Sequence, residues 1–470
     1  MKKALLLLFA ALLGMGAWAQ VTKDNKSYEP YGEIKVKNLW INAENYSNRT
    51  QFQAQPFMQL SNNTKQPMAV MYDGIIYVAH SEAKTTVVSP GDTVSQAVVH
   101  RFDVLTGAAL SDLDLTLDGR PYGGLLAANN IGVDNFGHLW IMPYRQIKDN
   151  TMLYQLNPDN GEMTLLATLE SDIEIARIDY YDVVGDITLQ EAPCNIIAPG
   201  ASVEAVYGWH NDIDGDADTW TGFFDGDTYM NFTEFYPAKQ TNWGIAPYAR
   251  FLLGDDEDTR YDGDLFYIDG FNQYPTLYAR DGSIIDSFEF ATESLKADSV
   301  LYPLTSVNGV ADFFVGDCHM FAYAKGDYNA PNTYDIIVAE LGEGAAFDGM
   351  TRCWQMPSRG LGNNNESGRR LTVINTEEIE VGGKPAVRMM IYKNANGIAV
   401  YEIGEGVEGG GPSFDQGDVN GDGVVSGADV TALYNVLLDG AEAGGDPDVN
   451  QDGVVSGADV TALYNILLNS

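Results

Sequence analysis

The strongest constraint in this sequence is a repeat near its C-terminal end. Residues 418–440 and 448–470 align without a gap and differ only at Gly421/Gln451, Val436/Ile466, Asp439/Asn469 and Gly440/Ser470. Each copy opens with an acidic loop, DVNGDGVVSGAD or DVNQDGVVSGAD, and runs into the same phrase, VTALYN. Oxygen-bearing side chains stand at positions 1, 3, 5, 9 and 12 of each loop. They are Asp418, Asn420, Asp422, Ser426 and Asp429 in the first copy, and Asp448, Asn450, Asp452, Ser456 and Asp459 in the second. Val424 and Val454, at position 7, are expected to offer backbone carbonyls, and Gly423 and Gly453, at position 6, permit the sharp turn. A Ca2+ ion takes roughly six to eight oxygen ligands, and this is the spacing of an EF-hand loop, so two bound ions are expected.

The phrase ADVTALYNVLL that follows the loop puts Val430, Leu433, Val436 and Leu437 on one apolar helical stripe. No helix precedes the loop. A calcium loop with only its exiting helix, repeated in tandem and closed by Asp, resembles the type I dockerin module over residues 415–470. That resemblance implies a small all-α fold around two Ca2+ ions, with the helices packed antiparallel, and docking onto a cohesin-like domain. The family's partner-facing positions fall here on Gly427, Ala428, Tyr434 and Asn435, then on Gly457, Ala458, Tyr464 and Asn465. Better-known dockerins often carry a hydroxyl pair and a basic residue at these places, so the resemblance implies a different cohesin. Both copies agree at all four positions, so the module is expected to look alike after a half turn and to accept a partner in either orientation. About fifty residues bury little core, so ion binding is expected to supply a large share of the folding free energy.

Residues 30–403 read as β throughout, as short runs rich in Val, Ile, Tyr, Phe and Trp between clusters of Gly, Asn, Asp and Pro. One theme returns imperfectly: AVMYDGIIYVAH from Ala69, IGVDNFGHLWIMPY from Ile131, YDGDLFYIDG from Tyr261 and KNANGIAVYEI from Lys393. Gly and Asn supply the positive φ of tight hairpin turns. Groups of short strands at intervals of several tens of residues indicate a β-propeller of about six to eight blades. The wording resembles the loose D-x-x-G-x-LW(I/V) blades of many bacterial propellers. A pair of β-sandwiches is the alternative. GEGVEGGGPSFDQ, residues 404–416, lacks apolar periodicity and reads as a flexible linker to a module at 417–470. The expected fold class is therefore mainly β, a propeller-like domain plus a small all-α calcium-binding module.

Residues 1–19 carry two lysines, an apolar run and a small-residue cleavage site, and read as a secretory signal peptide. No later stretch is apolar enough to span a membrane. With 27 Lys+Arg against 66 Asp+Glu, the formal net charge of −39 argues against nucleic acid and anionic lipid as partners. Cys194, Cys318 and Cys353 are too far apart for a metal knuckle and leave the disulfide state open. The five histidines show no HExxH or HxH, so no transition-metal site is expected.

No catalytic motif stands out, although carboxylates are plentiful. HNDIDGDADTW places Asp212, Asp214, Asp216 and Asp218 at alternate positions, a candidate third Ca2+ loop beside the reading of a solvated acidic turn. Three functions follow as expectations. The first is an exported docking protein whose propeller binds glycan or protein, with polysaccharide utilisation implied by the dockerin resemblance. The second is a glycan-active hydrolase or lyase with carboxylates at the propeller mouth. In the third, the tail is a cap on its own propeller. Convergent carboxylates would favour the enzyme, and an aromatic shelf would favour binding.

Overall fold

The computed structural model describes residues 28–43, 68–124, 127–128, 130–143, 150–201, 203, 205–213, 219–231, 248–252, 261–270, 274–302, 309–325, 336–344, 346–357, 361, 372–393, 397–408, 417–421, 424–441, 443, 445, 447, 449–450 and 455–469. Their strands form six sheets. Each sheet begins with an inner strand: Met68–Tyr72, Asn130–Val133, Asp182–Gly185, Tyr248–Phe251, Val310–Val315 and Thr372–Val381. Every inner strand touches the next, and the sixth touches the first, so the sheets are the six blades of a closed β-propeller. The range expected from the sequence narrows to six, and the sandwich alternative falls.

The repeated theme marks hairpins within blades. In blade 1, Asp73 at φ 47° and Gly74 at φ 74° turn Met68–Tyr72 into Ile75–Ser89, with Tyr72 opposite Ile75. In blade 6, Gly382 and Gly383 at φ 60° and 75° make the same two-residue turn. Strand positions buried on both faces fill the spaces between blades. Blades 2 and 3 share Trp140, Leu153, Ile196 and Trp209, and blades 5 and 6 share Met320, Val338, Ile374 and Tyr401.

The last blade is built from both ends of the propeller sequence. Lys35–Ala43 pairs antiparallel with Gly397–Gly404, which also pairs with Lys384–Lys393. The ring is sealed on the inside too. The Met71 N–H donates to Asn375 Oδ1 at 2.8 Å, and the Asp73 N–H donates to Glu377 Oε1 at 3.1 Å. No helix among the described residues is long and apolar enough to cross a membrane.

A similar stitch joins blades 4 and 5. Asp269 ends the strand Leu265–Asp269 and is 1% exposed, and its Oδ2 accepts the Gly309 N–H at 3.1 Å while its Oδ1 has no partner among the described residues. Burial pushes its carboxyl up from 3.8 to about 8, against the smaller opposing pull of the Gly309 N–H. A folded pKa above the unfolded one means that the folded chain holds the extra proton, so stability falls as pH rises between those two values. The slope is at most about 1.4 kcal/mol per pH unit. Asp269→Asn keeps the acceptor for Gly309 and is expected to flatten this decline in the thermal midpoint. Equal slopes in the two proteins would refute the assignment.

Candidate functional site

The C-terminal module is built from its two loops and the helices that leave them, Gly427–Asp439 and Gly457–Asn469. Ser426 caps the first helix. Its side chain accepts the Ala428 N–H at 3.1 Å, and Asp429 three residues on completes a capping box. Gly440, at φ 65°, closes that helix in the left-handed region. Val430 and Leu433 meet Val460 and Leu463, with Val419 and Val449 of the loops beneath them. Of the expected stripe, Val430 and Leu433 are buried, whereas Val436 and Leu437 are half-buried.

The loops fold inward on their last carboxylates. Asp429 is wholly buried; its Oδ1 accepts the Asn420 N–H at 3.0 Å and its Oδ2 the Ser426 N–H at 2.7 Å. Asp459, also wholly buried, repeats this with Asn450 at 3.0 Å and Ser456 at 2.7 Å. Burial pushes the Asp459 carboxyl up, but these N–H donors outweigh it and hold it below the usual range. Asp418 is 2% exposed. Between residues 417 and 470 there is no Lys, Arg or His to act as counter-charge to these buried carboxylates. Burying charge is costly, and a bound cation would offset it.

Among the other ligand candidates, Val424 is exposed, and Asp422, Asp448, Asp452 and Val454 lie outside the described residues. The eight partner-facing candidates Gly427, Ala428, Tyr434, Asn435, Gly457, Ala458, Tyr464 and Asn465 are all exposed. In the proposed third loop, Asp212 Oδ1 lies 2.9 Å from His210 Nε2, whereas Asp214, Asp216 and Asp218 lie outside the described residues.

A second site lies on the propeller axis, where the inner strands line a cavity of about 500 Å³. Asp182, Arg250, Asp312, Asn375 and Glu377 all border it, each from a different blade except the last two. Arg250 Nη1 lies 3.5 Å from Asp182 Oδ1, and the Phe251 N–H donates to Asp182 Oδ2 at 2.6 Å. Tyr180 and Tyr248 stack at 4.0 Å, with their hydroxyls 3.2 Å apart. Burial opposes the Arg250 charge, but Asp182 and these two phenols outweigh it and raise its pKa. Asp312 Oδ2 meets His319 Nε2 at 3.0 Å, and Glu377 Oε2 accepts Arg388 Nη1 at 3.2 Å.

Carboxylates therefore converge on the axis, as the enzyme reading requires, yet Asp182, Asp312 and Glu377 are each engaged by a protein donor. Sequence reasoning named none of these residues. Asp182 and Arg250 are 68 positions apart, and only the circular order of blades brings them together. The three cysteines are not bonded to one another.

The fold and the loops define a propeller that carries a small module of two repeated loop–helix units. Residues 416–468 match the dockerin type I domain family, and this segment is a dockerin. Type I dockerins generally bind calcium and pair with cohesins. No curated protein matches the chain in sequence. Among solved structures, a DUF4623 family protein from Bacteroides eggerthii is similar over 80% of this chain and 76% of its own, with a TM-score of 0.50 and 11% identity. Sqt1 of Saccharomyces cerevisiae gives a TM-score of 0.39 at 8% identity, over 73% of this chain and 97% of its own. At these identities the first likeness speaks for the fold alone.

Proposed function

We propose that this is an exported adaptor, in which the C-terminal dockerin holds two Ca2+ ions and docks the propeller onto a cohesin, while the axial cavity receives a ligand. The observation that carries this reading is the pair of buried carboxylates, Asp429 and Asp459, in a module without a single basic residue. Each would hold one ion with Asp418, Asn420, Asp422, Val424 and Ser426, or with their counterparts Asp448, Asn450, Asp452, Val454 and Ser456. Docking would use Tyr434 and Asn435 with Gly427 and Ala428, and equally Tyr464 and Asn465 with Gly457 and Ala458.

For the propeller we favour binding of a glycan or a protein segment over hydrolysis. The axial carboxylates are engaged by Arg250, His319 and Arg388, which suits recognition better than a free acid/base pair. Tyr72 on the cavity wall adds aromatic surface that suits a sugar or an apolar side chain. Polysaccharide utilisation is the setting that the dockerin suggests.

The test is calcium titration of residues 415–470, followed by calorimetry and circular dichroism. The expected result is helix appearing as two ions bind, and capture of the holo form by a cohesin. A segment that stays unfolded in calcium would overturn the independent docking module and leave the cap on the propeller as the better reading.

A further inference from the structure

Blade 2 opens with Asn130–Val133, and the turn that follows, Asp134-Asn135-Phe136-Gly137-His138, leads into Leu139–Met142. Gly137 sits at φ 87°, and a Cβ there would meet Tyr72 Oη at 2.1 Å, so the turn is fixed in one shape. It delivers His138 Nδ1 to 3.0 Å from Asp134 Oδ2 and 3.2 Å from Asp186 Oδ1, the latter on the neighbouring blade. All three ligand atoms lie within 4.8 Å of one another.

The two carboxylates are held rigidly. Asp134 Oδ1 accepts the Phe136 and His138 N–H groups at 2.9 and 2.8 Å, and its Oδ2 accepts the Ile187 N–H at 2.9 Å. Asp186 Oδ1 accepts the N–H and hydroxyl of Thr188, both at 2.7 Å, and its Oδ2 accepts the Gln190 and Glu191 N–H groups at 2.9 Å. Both side chains are 0% exposed, and among the described residues no Lys or Arg pairs with either. Beyond these backbone and hydroxyl donors, the two buried carboxylates share one ring nitrogen. A single proton on Nδ1 cannot point at both oxygens.

We propose that Asp134, His138 and Asp186 bind a divalent transition-metal ion of the Zn2+ or Mn2+ type, which staples blade 2 to blade 3. Ligands about 2.0–2.2 Å from such an ion stand roughly 3.0–3.5 Å apart along the edges of its coordination polyhedron, which matches the two nitrogen–oxygen separations. A divalent ion neutralises both carboxylates, and their remaining N–H bonds orient them as second-shell donors orient metal ligands. The imidazole sets this site apart from the all-oxygen loops of the dockerin, which suit Ca2+. His138 is 30% exposed, so the ion has a path in and room for water to complete its shell.

The test uses the full-length chain, stripped with chelator and kept in excess Ca2+ so that the dockerin loops are filled. Co2+ serves as the probe, read by its visible absorption and by calorimetric stoichiometry. The expected result is one Co2+ that Zn2+ displaces and that His138→Ala binds at least tenfold more weakly, together with a thermal midpoint raised by Zn2+ only in the unmodified chain. Equal Co2+ binding by both proteins would overturn the proposal. So would a Co2+-silent chain whose midpoint follows the protonation of His138, since an imidazolium alone would then hold the two carboxylates. Imidazole 15N shifts in the unmodified chain give a reading independent of how the variant folds, and a His138 ring unmoved by Zn2+ would likewise sink the metal site.

Discussion

Replacement of Arg250 by Met is expected to destabilise the propeller by about 3–5 kcal/mol, the usual cost of stranding one partner of a buried ion pair. Asp182 would remain on the cavity wall with a side chain only 9% exposed, and only backbone N–H groups, those of Phe251 and Val183, would face its charge. The chain's escape is to protonate Asp182. Burial already holds the Asp182 carboxyl above its ordinary range against the pull of Arg250, and losing that pull raises it further, so the added penalty should be small near pH 4 and grow as pH rises. Asp182→Asn combined with Arg250→Met removes the stranded charge and should recover a large part of the loss. Denaturant unfolding of the two variants across pH decides the matter: equal losses at all pH values, or no recovery in the pair, would show that Arg250 acts through packing rather than charge.

The second large effect is expected in the dockerin. Asp429→Ala removes the acceptor of two backbone N–H groups, those of Asn420 and Ser426, each worth about 1–3 kcal/mol when left buried and unpaired. It also removes a candidate ion ligand. A core of this size rarely supplies more than about 3–5 kcal/mol, so one substitution should suffice to unfold the module. Val430 and Leu433 pack on Val460 and Leu463, so both helices should be lost together. Asp459→Ala should do the same, because its hydrogen bonds match those of Asp429 in length. Amide exchange on the full-length chain reads this directly. Residues 427–439 and 457–469 should lose protection in either variant while the blades keep theirs. Loss confined to the mutated half would mean that the repeats fold separately.

What the sequence made legible was local. The dockerin loops carry their candidate ligands within twelve consecutive residues, so the module is legible from spacing alone. The same holds for blade hairpins whose turns pair Asp or Gly with Gly, as at Asp73–Gly74. Blade 3 escaped the repeated theme because its first two strands are joined through Asp186–Pro193, a longer excursion organised by the Asp186 carboxylate. The axial charges were illegible for another reason: Asp182, Arg250, Asp312 and Glu377 come from four different blades at unrelated spacings. His138 shows both regimes at once. Its link to Asp134 lies four residues away in sequence, whereas its link to Asp186 exists only because blade 3 follows blade 2 around the ring. Scattered histidines in a sequence therefore do not tell which side chains the fold brings together.

The shared sixth blade has a mechanical consequence. Gly397–Gly404 lies between Lys35–Ala43 and Lys384–Lys393, paired with each along its length, and the chain continues from it toward the dockerin. A tug on the C-terminal tail would thus reach the propeller first at the buried Val407 and then run along the strand. Two ladders of hydrogen bonds must then slide in shear at the same moment, rather than unzip one bond at a time. The propeller is joined to its C-terminal tail at a point that resists being pulled apart.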